Sequence, residues 1–107
     1  MPVFNKLVRD RIPEIIDQTG KTYKTRKLAH EEYITALQSK LQEEALEYLE
    51  ADNDVESLEE LADILEILHA LAKTHDASIE KVEEIRKQKA AERGGFDEKV
   101  FLVEVDV

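Results

Sequence analysis

The side chains of this sequence best placed to do chemistry are acids at helical spacing, Glu43-Glu44-x-x-Glu47 followed by Glu60-x-x-Asp63. At about 100° per residue, Glu44 falls on the line of Leu37, Leu41 and Tyr48, where a helix presents an apolar side chain to its neighbour. Glu47 lies one turn further along. Glu60 is collinear with Ile64, Ile67 and Leu71 on the next helical stretch, and Asp63 repeats the step of three. Consecutive helices joined by a short turn pack antiparallel, so Glu44 and Glu47 can face Glu60 and Asp63. Four desolvated carboxylates cannot all remain ionised, so such a cluster survives only by raising its pKa values and taking up protons, or by binding cations. The chain has no Cys and no paired His near these acids, which leaves an all-oxygen site. Such a site suits Mg²⁺, or Mn²⁺, both of which keep water positions open for phosphate ligands. Glu43 and Glu59 stand beside the four. A plainer reading makes Glu60 the capping-box partner of Ser57 and Glu43 or Glu59 a solvated helix acid.

The charge distribution singles out the same region. Against 15 Lys and Arg the chain carries 25 Asp and Glu, for a formal charge of −10. Residues 1 to 40 carry +3, residues 41 to 72 carry −11 and residues 73 to 107 carry −2, so the middle window holds all the excess. Its one potential cation is His69, where an ordinary helix offsets acids with Lys or Arg three or four positions away. A chain this acidic repels a phosphate backbone, which argues against a nucleic-acid polymer as partner. Lack of Cys excludes a disulfide framework, a thiolate metal site and a cysteine nucleophile. With 42% apolar residues the 107-residue chain can form one packed domain, residues 1–107. No apolar run reaches the ~18 residues of a membrane span and the N-terminus lacks a signal-like stretch, so a cytoplasmic protein without membrane contact is expected.

The elements that must position the acids read as mostly helical. Pro13 suits the first turn of a short helix carrying Ile12, Ile15 and Ile16, ended by Thr19-Gly20, with a basic loop from Lys21 to Lys27 behind it. Ile34, Leu37, Leu41 and Tyr48 predict an amphipathic helix from about Ala29 to Ala51. After a turn at Asp52-Asn53-Asp54, the next helix begins between 54 and 58, capped by Asn53 with Glu56 or by Ser57 with Glu60, and runs to about His75. That helix is apolar around most of its circumference and is expected to be buried on more than one side. Asp76 or Ser78 opens a third long helix that Gly94-Gly95 ends. The alternation from Val100 to Val107 predicts a short C-terminal β-strand in need of a partner.

The acid motif resembles the signature of the all-α nucleoside-triphosphate pyrophosphohydrolase superfamily, which includes MazG-like enzymes and phosphoribosyl-ATP pyrophosphohydrolase. The opening Lys6-Leu7-Val8-Arg9-Asp10-Arg11-Ile12-Pro13-Glu14-Ile15-Ile16 and the closing Lys89-x-x-x-Arg93-Gly94-Gly95-Phe96 are similar to the small stand-alone MazG-like branch of house-cleaning enzymes. The resemblance implies an all-α antiparallel helix-pair bundle in which Glu44, Glu47, Glu60 and Asp63 are Mg²⁺ ligands and Glu43 positions or deprotonates the attacking water. The implied reaction hydrolyses a nucleoside triphosphate, or a related nucleotide, to the monophosphate and pyrophosphate. It also implies a homo-oligomer, a dimer or tetramer, which agrees with the doubly apolar helix.

An acid cluster alone would repel a polyphosphate, so cations must come from elsewhere: Arg93 first, then Lys89, Lys87, Lys6 and Arg9. The plainer roles are helix C-terminal placement for Lys87 and Lys89, and pairing with Asp10 or Glu14 for Lys6, Arg9 and Arg11. His69 reads as a core or interface residue, and Tyr48 and Phe96 as core aromatics. Two other functions stay open: the phosphoribosyl-ATP step of histidine biosynthesis, and a non-catalytic helical oligomer serving as an interaction module.

Overall fold

Four helices follow from local signals that each segment carries. The computed structural model describes residues 3–106, with α1 at Ile12–Gln18, α2 at His30–Glu50, α3 at Asp54–Thr74 and α4 at Ile79–Arg93. Pro13 sits in the first turn of α1, where its missing N–H costs nothing. The Thr19 hydroxyl donates to the Ile16 carbonyl at 2.6 Å, and Gly20, at φ +79°, turns the chain away. The α2 N-cap is Ala29, which has no side-chain acceptor. Glu32 supports this terminus instead: its carboxylate accepts from the Ala29 N–H at 3.1 Å and from the Arg26 guanidinium at 3.0 Å. The Arg26 hydrogen bond, then that of Ala29, hold the Glu32 carboxyl below the usual range.

The α2–α3 connection fixes the rest. Asn53 Oδ1 accepts from the Glu56 N–H at 2.9 Å, and Glu56 Oε2 accepts from the Asp52 N–H at 3.1 Å. Of the two caps legible in the sequence the earlier is used, which frees Glu60 from capping Ser57. The connection is so short that α2 and α3 pack antiparallel, with positions equidistant from Asp52 at matching heights. Glu44 and Glu60 are such a pair, and Leu37 and Ile67 another. Leu37 and Ile67 are buried, together with Ala72 and Glu44. The apolar heart of the chain is thus the α2–α3 seam, and the acids lie on that seam nearer the turn.

α4 packs on α3, whereas α1 packs against no other helix. Ser78 is the α4 N-cap and Gly94, at φ +83°, closes it, as the Gly94-Gly95 pair predicts. No helix of the described residues is long and apolar enough to cross a membrane.

Three expectations fail. No C-terminal strand forms among the described residues: 100–106 are irregular, Val107 lies outside them, and the Val3-Phe4 region is irregular too. Alternation makes a segment fit a sheet, but a strand exists only when another supplies its hydrogen bonds, and none does among the described residues. Tyr48 and Phe96 are not core aromatics, both being exposed and Phe96 98% so. The second face of α3 is bare within the chain, with Leu58, Leu61, Leu65 and Leu68 all exposed. Accordingly the accessible surface is 9945 Å², against about 6,100 Å² for a compact monomer of this mass. The radius of gyration is 18.5 Å, where a compact chain of this length has about 13 Å.

Because Asn53 sets both the start of α3 and the register of the seam, Asn53→Ala is expected to lower stability by about 1 kcal/mol, and Asn53→Asp by much less. Urea unfolding monitored by helical circular dichroism measures both.

Candidate metal centre

The acids expected to act together arrive from two neighbouring helices, and the structure sorts them into two overlapping groups of three. One carboxylate oxygen from each of Glu44, Glu60 and Asp63 lies within 4.8 Å of the others, and so does one from each of Glu43, Glu44 and Glu47. Glu44 belongs to both. It is 9% exposed, while Glu60 and Asp63 are half-buried and Glu43 and Glu47 lie open to solvent. Glu47 is brought to Glu44 across one helical turn and also lies close enough to Glu60 on α3 to raise its carboxyl. Glu43, read from sequence as a neighbour of the four, enters a group of its own right, and Glu59 joins neither.

The electrostatics follow from the enclosure. Glu44 Oε2 and Glu60 Oε2 are shut off from solvent and have no hydrogen-bond partner. Ionised carboxylates only accept, so neither can satisfy the other unless a proton or a cation lies between them. Burial, then hydrogen bonds shared with Glu47 and Glu60, then the charges of Glu47 and Asp63, push the Glu44 carboxyl up to about 7. For Glu60 the strongest single influence is the Glu44 hydrogen bond, which lowers it. Burial together with Glu47 and Asp63 outweighs that pull and leaves it raised.

These oxygens suit a hard divalent cation. Oxygens on opposite sides of an octahedral Mg²⁺ are about 4.2 Å apart, so a group spread over at most 4.8 Å closes on one with small side-chain adjustments. The partnerless buried oxygens supply what an exposed acidic patch lacks, a donor set that gains by taking up charge.

The expected phosphate-binding cations are scattered. Lys87, Lys89 and Arg93 lie on α4, and among the described residues none forms an ion pair with the acid groups. Lys6 stands over the Phe4 ring, 5.7 Å from its centroid. Arg11 pairs with Glu14 at 3.2 Å, the local arrangement its spacing suggests. Arg9 pairs with neither Asp10 nor Glu14; its Nη2 donates to Asp63 Oδ1 at 2.7 Å. One further cation escaped the sequence reading. Lys40 Nζ is 3.7 Å from Glu43 Oε2, and its position three residues before Glu43 was the available signal.

A helical seam carrying two overlapping acid triads is a candidate divalent-cation site. Residues 1–90 match the family model described as phosphoribosyl-ATP pyrophosphohydrolase, and the chain belongs to that family, within the MazG-like all-α nucleotide pyrophosphohydrolase superfamily. The family is one of hydrolases acting on phosphoric anhydride bonds. An uncharacterized protein of Mycolicibacterium smegmatis is 48% identical over 54 residues, which is 50% of this chain and 55% of that one. The chain thus matches about half the length of this curated relative. No solved structure matches it.

The raised Glu44 carboxyl sets a pH dependence for the metal-free protein. The folded state holds this proton more tightly than the unfolded chain, so the contribution to stability is complete below the ordinary carboxylate value of 4.5. It is lost as pH rises towards about 7. The loss is expected to be at most about 3 kcal/mol, absent in Glu44→Gln and reversed at pH 8 by saturating Mg²⁺. Urea midpoints at pH 4.5, 6 and 8, with chelator and with Mg²⁺, measure it.

Proposed function

We propose that this protein is a Mg²⁺-dependent nucleotide pyrophosphohydrolase that cleaves a nucleoside triphosphate, or a relative of one, to the monophosphate and pyrophosphate. One observation carries the reading: Glu44, common to both acid triads, and Glu60 each hold a buried carboxylate oxygen without a partner, in a chain of the pyrophosphohydrolase family. Glu44, Glu47, Glu60 and Asp63 would hold the cation. Bound there, Mg²⁺ or Mn²⁺ supplies charge neutralisation for the polyphosphate and lowers the pKa of a coordinated water.

The remaining work falls to the chain's own side chains. Glu43, open to solvent beside Glu44 and tethered by Lys40, is assigned to positioning the attacking water or accepting its proton. No nucleophilic side chain is required. Arg93, Lys89, Lys87, Lys6 and Arg9 are assigned to the phosphates, whose charge they would offset from outside the acid seam.

Phosphoribosyl-ATP is the second substrate reading, favoured by the description of the matching family. The opening segment from Lys6 to Ile16, similar to the stand-alone branch, favours the triphosphate.

The same reading includes a homo-oligomer, a dimer or tetramer. Its support is the surface far above that of a compact monomer and the exposed stripe Leu58, Leu61, Leu65 and Leu68, which recurs at three- and four-residue steps along α3. A second copy of that stripe is the covering the helix lacks.

With Mg²⁺ and a panel of ribo- and deoxyribonucleoside triphosphates plus phosphoribosyl-ATP, pyrophosphate release identifies the substrate. Glu44→Gln and Asp63→Asn are expected to lower kcat by about 100-fold or more while the proteins stay folded. Release unaffected by both substitutions refutes the metal assignment, and no release from any nucleotide refutes the enzyme reading.

A further inference from the structure

Arg9 joins the acid seam through a bond unlike any other in the chain. Its Nη2 donates to Asp63 Oδ1 across 54 positions of sequence, whereas every other salt bridge among the described residues spans six positions or fewer. Within the triad of Glu44, Glu60 and Asp63 no other side-chain cation is paired, since Lys40 reaches only Glu43. The guanidinium therefore occupies an oxygen of a residue that a divalent cation in this triad also needs.

Arg9 is poorly built as a permanent tie. Its side chain is 59% exposed, and the segment from residue 3 to 9 that carries it has no helix or strand to hold it. It uses one of five N–H donors on Asp63. An ion pair this exposed is weak and readily exchanged. A divalent cation entering the triad repels the guanidinium, and a polyphosphate arriving with that cation offers the two-point acceptor that the planar fork suits best.

We propose that Arg9 is an exchangeable counter-ion: it neutralises Asp63 while the triad holds no divalent cation, and turns to the phosphate oxygens of a cation-bound polyphosphate when one enters. The proposal rests on the metal assignment above and adds a specific consequence, that one residue opposes the bare cation yet favours the cation with its polyphosphate. A residue that merely props up the site would favour both.

The test uses the full chain as wild type, Arg9→Gln and Arg9→Lys. Mn²⁺ alone is titrated with free Mn²⁺ read by electron paramagnetic resonance, and inorganic pyrophosphate is then titrated calorimetrically into Mg²⁺-saturated protein. Arg9→Gln is expected to bind Mn²⁺ about threefold or more tighter, a competing charge being gone, and pyrophosphate about tenfold or more weaker. Arg9→Lys keeps the charge without the fork, so its Mn²⁺ affinity should match wild type and its pyrophosphate affinity fall between the two. Weaker or unchanged Mn²⁺ binding by Arg9→Gln overturns the proposal, as does unchanged pyrophosphate binding. Failure of the underlying assignment has a separate signature: wild type that takes up no Mn²⁺, or Glu44→Gln that takes it up equally well.

Discussion

Two carboxylates on facing helices, each with a buried oxygen that has no hydrogen-bond partner, are the constraint around which this molecule is arranged. Glu44 Oε2 and Glu60 Oε2 face a region that water does not reach, and acceptors alone cannot satisfy one another. Like charges in such surroundings destabilise the fold unless a proton or a cation is held with them, so the seam is poised to take up positive charge. The same seam buries Leu37 and Ile67. The helix pair that supplies the core also holds these acids, whose enclosed charge lowers its stability.

The positive charge the seam needs is kept at its edges. Arg9 meets Asp63 from the segment before α1, and Lys40 meets Glu43 from one turn earlier on α2. Neither forms an ion pair with Glu44, the most enclosed acid. A polyphosphate bound through a cation would meet acids on one side and exposed basic side chains on the other, the polarity that both orients an anion and lets it leave. Among the described residues the α4 cations Lys87, Lys89 and Arg93 form no ion pair with these acids.

With three apolar side chains and one acid buried among the described residues, the core is slender for the chain's length. The exposed leucines of α3 lie about 80 to 160° round that helix from Glu60, so covering them would stiffen the helix that carries Glu60 and Asp63. Oligomeric contact and site rigidity would then be mechanically linked.

Much of this was legible residue by residue. Pro13, Asn53 with Glu56, and Gly94 mark helix ends through rules that reach only a few positions, and all three operate as read. Glu44 and Glu60 betrayed themselves by standing on apolar lines, a property of helical period alone. What periodicity could not settle was which faces find a partner. Tyr48, Phe96, the outer leucines of α3 and the tail after Val100 all have the composition of buried or paired segments and are exposed in this chain. The division of the acids into two triads sharing Glu44, and the Arg9–Asp63 bond, likewise depend on side chains meeting across long stretches of sequence. Local rules determine where a helix starts, stops and turns its apolar edge. Which edge is covered, and which charge meets which, is decided only when separate elements pack, because those energies belong to pairs distant in the chain.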